Sequence, residues 1–335
     1  MGTFSIVAFD RHRREWGVAV QSRFVAAGAI VPWAEASVGA IATQALANVQ
    51  YGPWGLALLR NGASASEALA RLTDSDPRRE ERQVAIVDRH GGVAAFQGKA
   101  CPAWAGHVVG DGYACLGNML FSEDVVRDMA RAYESTPGDL PERLIAALAA
   151  GQRAGGDRRG MQSAALLVVR EGGGYLGGND RWVDVRVDDH PAPIEELQRV
   201  FKIYDLTLLA RDDPATLVPI TPEIARVVQY QLELLGFYNG RLTAAWDEAT
   251  ASAFAKFLNE NNFEGKARDD GKVWPSVLDQ LQQRASAEAA RRKSAAPITA
   301  GALDRGPGAA APPAAPGGGG ASPPAPKARK RPKTA

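Results

Sequence analysis

A threonine stands third in the chain, at the head of the run TFSIVAFD. At the first position of a buried strand, this residue can combine three roles. Its hydroxyl is a nucleophile, its own α-amino group is a general base once freed, and the sheet holds both rigidly. A free α-amine titrates near pH ~8, close to working conditions. Such a site needs no catalytic histidine, and the four histidines here (His12, His90, His107 and His190) are scattered. On spacing alone Thr3 reads first as a β-former at a strand edge, and the catalytic reading stands second to it.

Other side chains fall where they could join it. Arg23 ends the second strand, where a guanidinium can grip a substrate carboxylate with two prongs or form a surface ion pair. Ser22 beside it is a weaker candidate. Thr43 and Gln44 end the third strand and Asn48 follows in the next turn; they reach the same pocket or serve as caps and turn bonds. Asn118, in LGNML after a strand, offers an amide donor for a developing oxyanion, or satisfies a turn. The Gly-rich stretch GGDRRGMQSAALLVV lacks the lysine and spacing of a phosphate loop. Within it Asp157 can support the nucleophile electrostatically, with Gln162 and Ser163 at the strand mouth to meet substrate. Asp189 and His190, in DDHP, suit a turn and a helix cap better than a dyad.

No HExxH and no zinc-like cysteine spacing occurs, so neither a metal nor another cofactor is expected. Cys101 and Cys115 read as small buried apolar residues that fit a reducing compartment. The start of the chain shows no basic segment leading into an apolar one, and no run approaches the ~18 apolar residues of a membrane span. A cytoplasmic protein is the expectation.

The elements that must position these residues follow from periodicity. Thr3–Phe9 and Trp16–Phe24 form a hairpin across DRHRRE, and Val38–Leu46 is a third strand. Helices are expected over Pro53–Asn61 and Ser64–Thr73, the second opened by a capping box of Ser64 and Glu67. Gln83–Asp88 and Val93–Gln97 make another hairpin, and a strand over Tyr113–Leu116 leads to Asn118. Helices Glu123–Tyr133 and Leu140–Arg153, strands Ser163–Arg170 and Trp182–Val187, and a helix from Ile194 to about Leu209 complete the region. Strands such as SIVAF and AALLVV are apolar on both parities, hence covered on both faces. Paired helices alternating with such strands predict two stacked sheets between two helical layers.

At 335 residues, with 45% apolar and 23% charged residues, the chain has room for two globular domains and a tail. The expected division is 3–211, 216–284 and 286–335. The last segment carries nine Lys/Arg against two Asp/Glu and reads APPAAPGGGGASPPAPKARKRPKTA at its end. It offers almost no large apolar side chain to offset ordering, so disorder is expected. The body is mildly acidic, unlike a nucleic-acid-binding core. Only weak contacts of the basic tail with nucleic acid or anionic lipid are open.

From Thr3 to about Leu209 the sequence resembles DUF1028, an uncharacterised bacterial family placed among the N-terminal nucleophile (Ntn) hydrolases. The resemblance is carried by TFSIVAFD, WGVAVQSRFVAAGAIVPWA, VGAIATQALANVQYGPWGL, GHVVGDGYACLGNML, AGGDRRGMQSAALLVVRE and VDVRVDDHPAPIEEL. It implies the α+β, four-layer αββα Ntn sandwich, with Asp157 and Ser163 assisting a threonine nucleophile. Members often begin Met-Thr, whereas here Gly2 intervenes and acylates Thr3. Either the Gly2–Thr3 bond is cleaved, through attack by the Thr3 hydroxyl on the preceding carbonyl, or translation starts elsewhere, or the chemistry is not of this kind.

Residues 221–281 show helical spacing over Ile224–Leu235, Ala249–Leu258 and Trp274–Leu281, with Thr221 and Pro222 opening the first. This stretch resembles a three-helix peptidoglycan-binding module through Leu235, Gly236, Phe237, Tyr238, Gly240, Trp246, Asp247, Thr250, Phe254, Phe257, Gly271, Trp274 and Leu278. It departs at Thr243–Ala244, where Asp-Gly is usual, and at Leu258, where Gln is usual. A docking or substrate-positioning role is expected over glycan binding. Two functions stay open: an Ntn-type amidohydrolase acting on a small or peptide-like amide through an acyl-enzyme on Thr3, or a non-catalytic scaffold whose helical module binds a protein or glycan partner. A homo-oligomer fits either.

Overall fold

The computed structural model describes residues 2–209 and 211–295. The strands and helices run β1 (Thr3–Asp10), β2 (Glu15–Ser22), β3 (Pro32–Glu35), β4 (Gly39–Ala45), α1 (Tyr51–Arg60), α2 (Ala65–Asp74), β5 (Arg82–Asp88), β6 (Val93–Gln97), β7 (Gly106–Gly110), β8 (Tyr113–Asn118), α3 (Asp124–Ser135), α4 (Leu140–Arg153), β9 (Ser163–Val169), β10 (Arg181–Val187) and α5 (Pro193–Tyr204). One sheet has the order β10-β9-β2-β1-β8-β7, the other β3-β4-β5-β6. Their paired strands are antiparallel.

Strand parity sorts the side chains into three cores. On β1, Phe4 and Ile6 face α3 and α4, packing with Val126, Met129, Leu144 and Leu148. Val7 and Phe9 face the other sheet, packing with Val18, Val20, Ala40, Ala42, Ala85 and Val87. On the far side of the second sheet, Ile41, Val84 and Ile86 pack on Leu56, Leu59 and Leu72 of α1 and α2. Both sheets are thus buried on two faces, which is why their strands read as continuous apolar runs. Cys115 lies in the first of these cores, and both cysteines are free thiols.

Most expected elements are present with ends shifted by a residue or two. The Ser64–Glu67 capping box forms as read. Three differences matter. The second strand stops at Ser22, so Arg23 lies in the following turn. Asn118 is the last residue of β8, within the sheet rather than after it. Strands β3 and β7 were not anticipated; each is an outer strand of its sheet, short and punctuated by Pro or Gly.

After α5, a π-helical turn (Asp205–Leu209) leads into β11 (Val218–Pro219), α6 (Pro222–Leu234), α7 (Glu248–Glu260), β12 (Lys272–Val273) and α8 (Pro275–Ala295). Thr221 caps α6 and Asp247 caps α7. Their apolar faces meet around Val228, Leu232, Phe254, Phe257, Trp274 and Leu281, and Leu206 of the preceding turn joins this core. Arg211 ties the junction back to α4, with Asp139 at 2.8 Å, Glu142 at 2.5 Å and Asp205 at 2.8 Å. The described residues up to Glu288 accordingly form one compact unit. The helix α8 corrects the expectation that chain order ends at 286: Ala, Glu and Arg-rich sequence carries it to Ala295. The rest of the expected disordered tail lies outside the described residues. Among the described residues no helix is long and apolar enough to cross a membrane.

Candidate active site

Register brings together residues from four strands. Thr3 pairs with Ser22 on β2 and with Asn118 on β8, and Ser22 pairs with Ser163 on β9. These four polar residues form one row across the sheet. They share the parity of Val7, Val20, Leu116 and Leu167, so they face the second sheet. That sheet answers with Gln44 and Gln83, the polar members of the faces formed by Ala40 and Ala42 and by Ala85 and Val87. The apolar inter-sheet core thus gives way to a polar lens at its Thr3 end.

Every member of the lens is deeply buried, Thr3 being 2% exposed. Burial of this kind requires hydrogen-bond satisfaction, and Gln83 supplies most of it. Its carbonyl accepts from Gln44 Nε2 at 2.8 Å and Asn118 Nδ2 at 3.0 Å. Its amide donates to Gly117 O at 2.8 Å and Gly106 O at 3.1 Å. Gln44 Oε1 accepts from Ser5 at 2.6 Å, and Gln44 Nε2 makes a long 3.4 Å contact with Thr3 O. Backbone strain borders the lens. Ala45 follows Gln44 with φ 66°, and Met119 follows Asn118 with φ 54°. Left-handed conformations at such residues cost on the order of 1 kcal/mol each and concentrate where a site must be held.

The Thr3 hydroxyl lies 3.0 Å from Ser22 Oγ. Ser22 in turn donates its proton to the Gly2 carbonyl oxygen at 2.6 Å. A hydroxyl has one proton, so Thr3 is the donor in the Thr3–Ser22 bond. A second donor reaches the same carbonyl: Arg159 Nη2, at 3.0 Å. Arg159 is oriented by Asp157, whose buried carboxylate accepts from its Nη2 at 2.7 Å, Nε at 3.1 Å and backbone N–H at 3.0 Å. The same carboxylate accepts from the Arg23 backbone N–H at 3.2 Å. Asp157 reaches this place because the strand leaving β8 pairs with its loop, Leu120 bridging to Asp157. Gly155 and Gly156, at φ 113° and 56°, allow the turn from α4. A Cβ on Gly155 would strike Phe121 at 2.6 Å.

The expected site residues therefore divide. Thr3, Gln44, Asn118 and Asp157 converge. Asn118 adjoins Thr3, but its amide donates to Gln83; the donors on the carbonyl ahead of Thr3 are Ser22 and Arg159. Ser163 stands in the row, yet its hydroxyl donates to Phe24 O at 2.6 Å and accepts from Ala27 N–H at 3.1 Å, pinning the exit of β2. Arg23 is exposed and donates to Met161 O at 3.0 Å. Gln162 turns to Asp189 at 3.2 Å, and His190 Nδ1 accepts from Ala192 N–H at 3.1 Å in the turn before α5.

Thr43 and Asn48 lie elsewhere. Thr43 has the parity of Ile41 and faces the helices; its hydroxyl donates to Asn48 O at 3.2 Å. Asn48 donates to Asp76 Oδ2 at 3.1 Å, beside Tyr51 at 3.0 Å and Arg82 Nε at 2.8 Å. Burial works against the Asp76 charge, but these donors and the Arg78 N–H prevail and hold its carboxyl well below the usual range. This is a buried structural cluster.

Sequence reasoning passed over Gln83, Ser5 and Arg159 and set Ser22 low. Gln83 and Ser5 had a signal, as lone polar residues at inward positions of apolar strands. Arg159 follows the aspartate that was singled out, at an i+2 spacing that no periodicity marks.

Comparison with known proteins adds to this geometry. The model described as "Family of unknown function (DUF1028)" matches residues 3–197. That described as "Putative peptidoglycan binding domain" matches residues 207–281. A crystal structure of a Silicibacter pomeroyi protein assigned to the DUF1028 family model is similar to this chain at 30% identity and a TM-score of 0.57, over 61% of this chain and 87% of its own. No curated protein matches the chain.

Proposed function

This chain belongs to the DUF1028 family, and from that premise we propose that it is an amidohydrolase of the N-terminal nucleophile type, with Thr3 as the nucleophile. The observation that carries this reading is the carbonyl ahead of Thr3, held by two donors while the Thr3 proton points into Ser22. In such a site the Thr3 oxygen attacks the Gly2 carbonyl carbon. Ser22 and Arg159 stabilise the charge that develops on the carbonyl oxygen. The carbon–nitrogen bond to Thr3 breaks, its nitrogen taking the proton released by the hydroxyl. Water then hydrolyses the resulting ester, releasing Gly2 as a carboxylate and restoring the hydroxyl. Thr3 is left with a free amine.

That amine serves as general base for a substrate amide, which acylates the same oxygen and is hydrolysed in the same way. Its ordinary pKa of about 8 predicts activity that rises through that range. The reading is supported by two sheets that are each buried on both faces, with helices packed on their outer sides. The helical module is proposed to dock or position a peptide-like substrate. Intact-mass measurement of the full chain tests the reading. Loss of everything preceding Thr3 supports it, and Thr3→Ala must abolish that loss. A chain that keeps Gly2 and hydrolyses no amide sinks it.

A second reading rests on the match at residues 207–281 and on the burial of Thr3: a scaffold whose helical module binds glycan. Cosedimentation with purified peptidoglycan by a chain that retains Gly2 would favour it.

A further inference from the structure

Gly2 is itself buried, and its surroundings restrict what can stand in its place. A Cβ built on it would lie 2.7 Å from Asp157 Oδ2, 2.8 Å from Met119 Cβ and 2.9 Å from Arg159 Nη2. The Asp157 and Met119 walls cannot retreat cheaply. The Asp157 carboxylate is fixed by three N–H groups of Arg159 and by Arg23 N–H. Met119 Cβ is set by a backbone whose N–H donates to Pro102 O at 2.9 Å and whose carbonyl accepts from Arg158 N–H at 3.0 Å. Close packing of this kind turns one extra carbon into a clash rather than a contact.

Resting on the reading of Thr3 as an acylated nucleophile, we infer that Gly2 occupies the enzyme's acyl subsite and that this subsite selects glycyl-type substrates. The ester formed from Gly2 and the ester formed from a substrate are on the same oxygen. The carbon next to the carbonyl must therefore lie against the same three walls in both. An acyl group with CH2 at that position fits, and one with an L-configured side chain meets Asp157, Met119 and Arg159. The substrate class is an amide or peptide whose acyl side ends in glycine or an equally unbranched group.

The test uses the full-length chain after it has lost Gly2. The p-nitrophenyl esters of N-acetylglycine and N-acetyl-L-alanine are compared, because an activated ester acylates without depending on recognition of its leaving group. Release of p-nitrophenolate and the mass added at Thr3 are followed. The glycyl ester should acylate on the order of 100-fold faster. In parallel, Gly2→Ala should slow processing by a comparable factor while its near-UV circular dichroism matches wild type. Met119→Gly in that background, which removes one wall at a position of positive φ, should recover part of the rate. Equal acylation by the two esters, or wild-type processing of Gly2→Ala, overturns the subsite and leaves the nucleophile standing. A wild-type chain that keeps Gly2 and is acylated by neither ester overturns both.

Discussion

The Ser22 hydroxyl lies 2.6 Å from the Gly2 carbonyl oxygen and commits its only proton there. Its lone pairs are left to the Thr3 hydroxyl, 3.0 Å away. One side chain thus both polarises an electrophile and orients the neighbouring nucleophile by accepting its hydrogen bond.

Removing that side chain should be felt in rate before stability. Ser22→Ala is expected to slow loss of Gly2 by on the order of 10²–10³-fold, the usual cost of one oxyanion donor. Thr3→Ser should still process, and Thr3→Ala should not. Time-resolved intact mass after cell-free synthesis measures all three. A Ser22→Ala rate equal to wild type would remove Ser22 from the chemistry.

Gln83 should behave in the opposite way. It makes four hydrogen bonds inside the lens. Gln83→Ala leaves buried carbonyls and amides unpaired and opens a cavity. The expected loss is about 2–4 kcal/mol in urea unfolding. A loss below 1 kcal/mol would mean that the lens is not held as described.

Thr43 and Asn48 separate structure from chemistry. Both serve the Asp76 side of the second sheet. Asn48→Ala should cost about 1–2 kcal/mol, and Thr43→Val less. Neither should change processing more than about twofold, because neither touches the lens. A hundredfold slowing by either would restore them to the site.

Glu15 predicts a pH dependence of stability. Burial pushes its carboxyl up from an ordinary 4.5 to about 7, against the pull of Arg170 at 3.2 Å. The folded chain therefore holds this proton more tightly than the unfolded chain. The stabilisation is complete below pH 4.5 and is lost as pH rises through about 7. Glu15→Gln should raise stability by roughly 1–3 kcal/mol at pH 8 and leave it unchanged at pH 4. Thermal melts at the two pH values decide it, and destabilisation at pH 8 would show that the Arg170 pair outweighs burial.

Ala244 stands where the helical module resembles sequences with glycine, and its φ is 61°. Ala244→Gly should relieve a left-handed alanine and stabilise by about 0.5–1 kcal/mol, net of added unfolded-state entropy. The readout is the unfolding midpoint of the full chain. A lower midpoint would show that the methyl group is packed rather than strained.

Local pattern alone was enough for much of this molecule. The bounds of α4, the Ser64–Glu67 capping box, the Gln83–Gln97 hairpin and the Thr221 cap rest on contacts within a few residues, which periodicity and turn chemistry report directly. The outer strands β3 and β7 escaped because a strand covered on fewer sides need not be uniformly apolar. The reach of α8 to Ala295 escaped because composition was read as tail where helix propensity prevailed.

The sequence by itself determined that Thr3 heads a buried strand, that glycine precedes it and that the strands are covered on both faces. Only the tertiary structure decided which side chains stand beside Thr3. Ser22 and Asn118 meet it through cross-strand register, Gln44 and Gln83 join the same lens through the stacking of two sheets, and Asp157 and Arg159 reach the carbonyl ahead of it through a loop more than 150 residues away in the chain. Parity along a strand is a local property, set by a backbone that alternates its faces. Register and stacking are settled by the best burial available to the whole chain, and that quantity is written in no single segment.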